Sequence, residues 1–162
     1  MITKKMNELL NEQLNFEFRS AYLYLGMANY ASSLGLNGFS GWFQFQAKEE
    51  MGHAVKLNGY IQQQGGDVIL GTVAAPTQKY TAAAQLFEES LKHERKVTKQ
   101  IKELAGAARK EDDYSTEAFL NWFLTEQVEE EAQLVDILQK LEIGGKTGNS
   151  LLILDGILSQ RK

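Results

Sequence analysis

An all-α fold, a four-helix bundle with one long crossover and a short fifth helix, is what this chain of 162 residues predicts. Three observations lead there. The chain contains one proline, so little in it interrupts a helix. Four long segments repeat their apolar residues with a helical period. The single long glycine- and proline-containing stretch, residues 65 to 80, lies between the second and third of these. The length fits one domain over residues 1–162, built around one core.

The first helix is predicted over about residues 4–34, with the inward stripe Leu10, Leu14, Glu17, Ala21, Tyr24 and Ala28. Gly35 and Gly38 end it. The second, about 38–64, carries Phe39, Phe43, Gln46, Glu50, His53, Leu57 and Tyr60, and Gly65 and Gly66 close it. The third, about 81–109, reads Ala83, Phe87, Ser90, Glu94, Val97, Ile101, Leu104 and Ala108. Asp113 is the expected N-cap of the fourth, about 114–143, with Thr116, Leu120, Phe123, Gln127, Glu130, Leu134, Ile137 and Leu141 inward. Short links make helices 1/2 and 3/4 antiparallel hairpins. Residues 65–80, which reach about 50 Å when extended, are long enough to run back along helices of about 42 Å. A short helix over about 148–158 follows Gly144-Gly145, and its run LLILDGIL suits a contact between subunits.

Composition narrows the chemistry. With 43% hydrophobic and 23% charged residues the chain is an ordinary folded one, not a disordered or fibrous one. No apolar run approaches the roughly 18 residues of a membrane span, and the start MITKKMNELLNEQ lacks a signal core, so no membrane partner and a cytoplasmic location are expected. A net charge of −4 without a Lys/Arg cluster argues against nucleic acid as a partner. Zero cysteines exclude thiolate catalysis, iron–sulfur clusters and cysteine zinc sites, leaving oxygen and imidazole as metal donors.

Each stripe is interrupted by polar residues about 12 positions into its helix, so in an aligned bundle the interruptions meet in one layer about 18 Å from either end. Glu17, Glu50, His53, Glu94, Gln127 and Glu130 converge there. Glu50 and His53 share a face at i, i+3, as do Gln127 and Glu130. A buried salt-bridge network would need Lys or Arg on the same stripes, and none of the stripes has one. Four carboxylates buried without cations would have to take up protons or bind metal. Two divalent ions meet the need, and an oxygen-rich set with one imidazole suits iron, manganese or zinc. Tyr24, on the same stripe as Glu17, suits either redox chemistry or core packing.

Glu17 with Tyr24, the run Glu49-Glu50-Met51-Gly52-His53, Glu94, and the run Thr125-Glu126-Gln127-Val128-Glu129-Glu130-Glu131 resemble the bacterial non-haem ferritins, and the resemblance extends over essentially the whole chain. Ferritin-like di-iron bundles place a Glu on each of two helices and a Glu-x-x-His pair on each of the other two. Helix 2 here obeys that rule, whereas helix 4 has Gln127-Val128-Glu129-Glu130. That departure is itself ferritin-like. It argues against a rubrerythrin-type oxidase, and the fifth helix argues against a DNA-protecting mini-ferritin.

The resemblance implies iron storage and detoxification by a ferroxidase. Two Fe(II) would bind in the bundle, dioxygen or peroxide would take their electrons, and Fe(III) oxyhydroxide would collect inside a hollow shell of twenty-four copies. It also implies roles: Glu50 bridging two irons, Glu17 and His53 completing one, Glu94 anchoring the other, Gln127 and Glu130 tuning or completing it, and Tyr24 giving an electron or a hydrogen bond. Glu49, Glu126, Glu129 and Glu130 resemble a third iron site, with Glu131 on a solvated acidic face. Fifth helices would gather at fourfold axes. The start of helix 4 would line threefold pores, where Glu117 is present and Leu120 replaces a second acid. Gly52 and Val55 replace acids that animal-type chains associate with mineral growth. Met51 stands where bacterioferritin binds haem, and haem is not expected here.

Overall fold

The computed structural model describes residues 1–76, 79–145 and 147–161. Thr77 and Gln78 at the end of the expected crossover, and Lys162 at the end of the tail, therefore lie outside the described residues. Five helices follow in order: α1 (Lys4–Ser33), α2 (Asn37–Gln63), α3 (Ala83–Lys110), α4 (Tyr114–Ile143) and α5 (Gly148–Leu158). Helix α3 begins at Ala83, two residues later than expected. The Gln85 carboxamide oxygen accepts hydrogen bonds from both the backbone N–H and the hydroxyl of Thr81, holding that residue outside the first turn. Asp113 does cap α4, accepting from the Thr116 N–H at 3.0 Å. Gly35, at φ 76°, ends the α1 turn in the left-handed region that a side chain would strain.

Every residue of the four predicted stripes is buried. The apolar core is split in two. One half joins the C-terminal part of α1, the N-terminal parts of α2 and α3 and the C-terminal part of α4, around Met27, Phe39, Phe43, Phe87 and Leu134. The other joins the opposite ends of the same helices around Leu10, Leu57, Ile101 and Phe123. That pairing of ends makes α1/α2 and α3/α4 antiparallel and sets α3 parallel to α2, as the long crossover requires. Between the halves lies the polar layer. Among the described residues no helix is long and apolar enough to cross a membrane.

The crossover is pinned by two asparagines one helical turn apart. Asn11 donates to the Asp67 carbonyl at 2.8 Å and accepts from the Ile69 N–H at 2.6 Å. Asn15 donates to the Ile69 carbonyl at 2.8 Å and accepts from the Gly71 N–H at 2.6 Å. Two carboxamides thus pair with the extended backbone as a neighbouring strand would.

Helix α5 lies across the start of α2. Leu154 is its one buried residue, and Asp155 accepts from the Phe39 N–H at 2.8 Å, capping an open donor at the α2 N-terminus. A Cβ at Gly38 would stand 1.9 Å from the Asp155 carbonyl oxygen, so only glycine allows this approach. Gly38→Ala is expected to lift α5 from α2. The measurement is limited proteolysis at the α4–α5 link, which should become several-fold faster while the α1–α4 helical signal persists.

Candidate metal centre

Helical rise sets each of the six layer residues near the middle of its helix, and the pairing of helix ends brings those heights into register. Glu17, Glu50 and His53 are all buried, and one ligand atom from each lies within 4.8 Å of the others. Among the described residues this is the one metal-competent group of His, Asp and Glu. His53 Nδ1 stands 3.4 Å from Glu50 Oε2. The ring is wedged edge-on between Trp122 and Phe123, at 5.5 and 5.7 Å between centroids, which fixes its orientation.

Glu17 Oε2 and Glu50 Oε2 are fully buried and receive no hydrogen bond. Burial raises the pKa of Glu17 well above the usual carboxyl range, and the neighbouring Glu50 charge adds to the rise. Burial does the same to Glu50, with Glu94 as the next cause. Such oxygens are costly as bare anions and suited to a cation placed between them.

Glu94 is held differently. Tyr24 donates its phenol O–H to one carboxylate oxygen, and the Gln127 carboxamide donates to the other at 3.0 Å. Burial raises Glu94 to about 7, while these two donors pull it back down. Gln127 also reaches the Glu94 carbonyl and the Thr98 hydroxyl, at 3.2 and 3.3 Å. Its carboxamide N–H groups therefore orient Glu94. Glu130 is raised by burial and accepts from Gln46 at 2.7 Å.

Several contacts were not visible in the stripes. Gln13, just off the α1 stripe, donates to Glu17 Oε1 at 2.7 Å and leaves only Oε2 free. His93, the residue before Glu94, stacks on Phe16 at 5.4 Å and meets the Tyr24 ring edge-on at 5.8 Å. Its Nε2 lies 2.8 Å from the Ser20 hydroxyl, and burial lowers its pKa to about 4, keeping the ring neutral. The signal the sequence offers is that the second of its two histidines directly precedes a layer carboxylate. Arg161 in the tail pairs with Glu49, so the acidic layer does have a nearby cation, though none of the stripes supplies it.

Around the layer, Glu49 and Glu126 both act electrostatically on Glu130, while Glu129 is exposed one turn beyond Glu126 on α4. Glu131 departs from the expected solvated face. It accepts from the Thr98 hydroxyl at 2.6 Å and pairs with Arg95 at 3.7 Å, both on α3. At the start of α4, Glu117 is tied to Arg109 on α3, and Leu120 is wholly buried in the core, unable to line a pore. Gly52 and Val55 are exposed on α2. Met51 is 46% exposed beside an apolar groove formed by Phe18, Tyr22, Leu25 and Val73.

A helical bundle folded around a buried carboxylate–imidazole centre is the class of protein that this architecture defines. A family model described as a ferritin-like domain matches residues 7–143, and the chain belongs to that family. It is 38% identical over 161 residues to a bacterial non-heme ferritin of Staphylococcus epidermidis, covering 99% of this chain and 97% of that one. It is also 38% identical over 159 residues to the bacterial non-heme ferritin of Escherichia coli O157:H7, covering 98% and 96%. A crystal structure described as a novel open pore ferritin from the hyperthermophilic archaeon Archaeoglobus fulgidus superposes with a TM-score of 0.97 at 45% identity over all of both chains.

Proposed function

We propose that this protein stores iron and acts as a ferroxidase, taking two Fe(II) into the polar layer as substrate. The observation that supports it best is the pair of buried, unbonded oxygens on Glu17 and Glu50 beside the His53 imidazole. Glu50 bridges the two ions, Glu17 and His53 complete the first, and Glu94 with Glu130 holds the second. Gln13 orients Glu17 by N–H donation to Oε1 and leaves Oε2 free for metal, while Tyr24 and Gln127 hold one oxygen of Glu94 each and fix its carboxylate plane.

Bound iron loses one electron per ion to dioxygen or peroxide. The protein supplies proximity and ligands, and the raised carboxyls release their protons as Fe(II) enters. Tyr24, whose O–H is already directed at Glu94, is placed to pass its proton to that carboxylate if the ring gives an electron to the dioxygen or peroxide being reduced. Helix 4 offers Gln127 and Glu130 where a second Glu-x-x-His would stand, so the second ion is held less firmly and is the one released inward. Glu49, Glu126, Glu129 and Glu130 then form a third site on the way.

Copies assemble into a closed shell, in which α5 covers its exposed Leu152, Ile153 and Ile157 against neighbouring subunits. The similarity to bacterial and archaeal ferritins supports this reading.

Loading metal-free protein with excess Fe(II) in air, then sizing it and counting iron in the protein peak, tests the proposal. Iron far above the ~3 ions per chain that the proposed ligands can hold, in a very large particle, is expected. Iron stopping near two per chain would reduce the reading to a di-iron enzyme, and none would remove the ferroxidase altogether.

A further inference from the structure

The tail beyond α5 returns to the acidic layer. Helix α5 is fastened to the start of α2 by Asp155 and Leu154, and the chain then places Arg161 farther along the same helix. Its guanidinium lies 4.7 Å from the Trp42 ring centre and 4.3 Å from that of Phe45, and Nη2 donates to Glu49 Oε2 at 2.7 Å. The side chain is only 16% exposed, and Nη1 is buried with no hydrogen-bond partner.

An arginine so far out of water, with a donor unfilled, costs more than fastening the segment after α5 requires. What offsets the cost is negative charge. Burial opposes the Arg161 cation, and the charges that restore it are first Glu49 and then Glu130. Those two carboxylates belong to the third site proposed above.

We propose that Arg161 is a tethered counter-cation at the third metal site, so that an ion binding Glu49 does so against its charge and must displace it to use the oxygen it holds. The inference rests on the metal-binding reading of the layer. A guanidinium and a divalent ion both draw on the single negative charge of Glu49 and repel one another across it, so the tail competes with the third ion. It sets a positive charge against Glu49 when iron is scarce, and holds the third ion loosely when iron is passing through. Arg161 is a positioning residue: it sets the occupancy of Glu49 and takes no part in electron transfer.

Titration of the metal-free, assembled protein with Zn(II), which is redox-inert, separates the possibilities by calorimetry. Wild type and Arg161→Gln should both show the tight pair of ions at the layer. The third ion should bind Arg161→Gln about tenfold more tightly or better, since a charge in direct contact with the ligand has gone. Arg161→Lys, which keeps the charge but loses the fork and the ring stacking, should fall between. Adding Glu49→Gln to Arg161→Gln should abolish the gain, assigning it to this carboxylate. An unchanged or weaker third ion in Arg161→Gln, with the tight pair intact, overturns the inference. A tight pair missing from wild type as well overturns the metal-binding reading, and this inference with it.

Discussion

Glu50→Gln slows the first phase of aerobic Fe(II) oxidation by about a hundredfold or more. Loss of a residue that merely supports a metal ligand typically costs 10- to 100-fold, and in the proposed centre Glu50 is the ligand common to both ions. The carboxamide keeps the shape of the side chain and removes the charge, so no cavity opens in the layer. Stopped-flow absorbance checks the rate, and anaerobic Fe(II) binding checks its cause. The fold should not suffer, because Glu50 is a buried carboxyl that burial already drives toward its neutral form. A metal-free variant melting at or above the wild-type temperature at pH 7.5 separates a ligand from a structural residue. Wild-type oxidation kinetics in Glu50→Gln would sink the dinuclear centre.

Metal-free protein loses stability as the pH rises from about 4.5 to 7, and a divalent metal restores it. Burial raises Glu94 from 4.5 to about 7. A group whose pKa is higher in the folded state holds its proton better there. Its contribution is therefore complete below the unfolded value and disappears as the pH climbs to the folded one. For Glu94 this difference corresponds to roughly 3 kcal/mol. Glu17 and Glu50, both raised well above the usual range, shift in the same direction. At pH 7.5, saturating Zn(II) should raise the melting temperature by about 6–12 °C for a change of that size. Scanning calorimetry between pH 5 and 7.5, with and without Zn(II), is the measurement, and Glu94→Gln should flatten the metal-free curve. Metal-free stability that is constant or rising over this range would mean that the layer carboxyls are not held as described.

Both effects trace to residues legible in the sequence. Glu17, Glu50, His53, Glu94, Gln127 and Glu130 stand out because a helix is a local structure: one rise and one period fix which side chains share a face and how far along they sit. The absence of Lys or Arg on those faces points to metal from the sequence alone. The glycines and the lone proline marked where helices stop, and the length of the crossover carried the topology. Resemblance to ferritins supplied what spacing does not, namely the third site and the shell.

What the chain order hides is anything that depends on how distant segments meet. Gln13 lies just off its stripe, and only the packed bundle shows that its carboxamide takes one oxygen of Glu17. Asn11 and Asn15 look like ordinary surface polar residues until the crossover runs beside them. Glu131 and Glu117 carry no mark in the sequence of their partners on α3. Arg161 is the extreme case, 112 positions from Glu49.

The sequence by itself therefore determined the helices, their topology and the chemical nature of the layer, because apolar period and charge balance are properties of short segments. Tertiary structure alone decided which carboxylate oxygens are occupied by protein donors, which stand free for metal, and which already face a cation. Those assignments depend on contacts of a few ångströms between elements far apart in the chain, where a shift of one bond length makes or breaks a hydrogen bond.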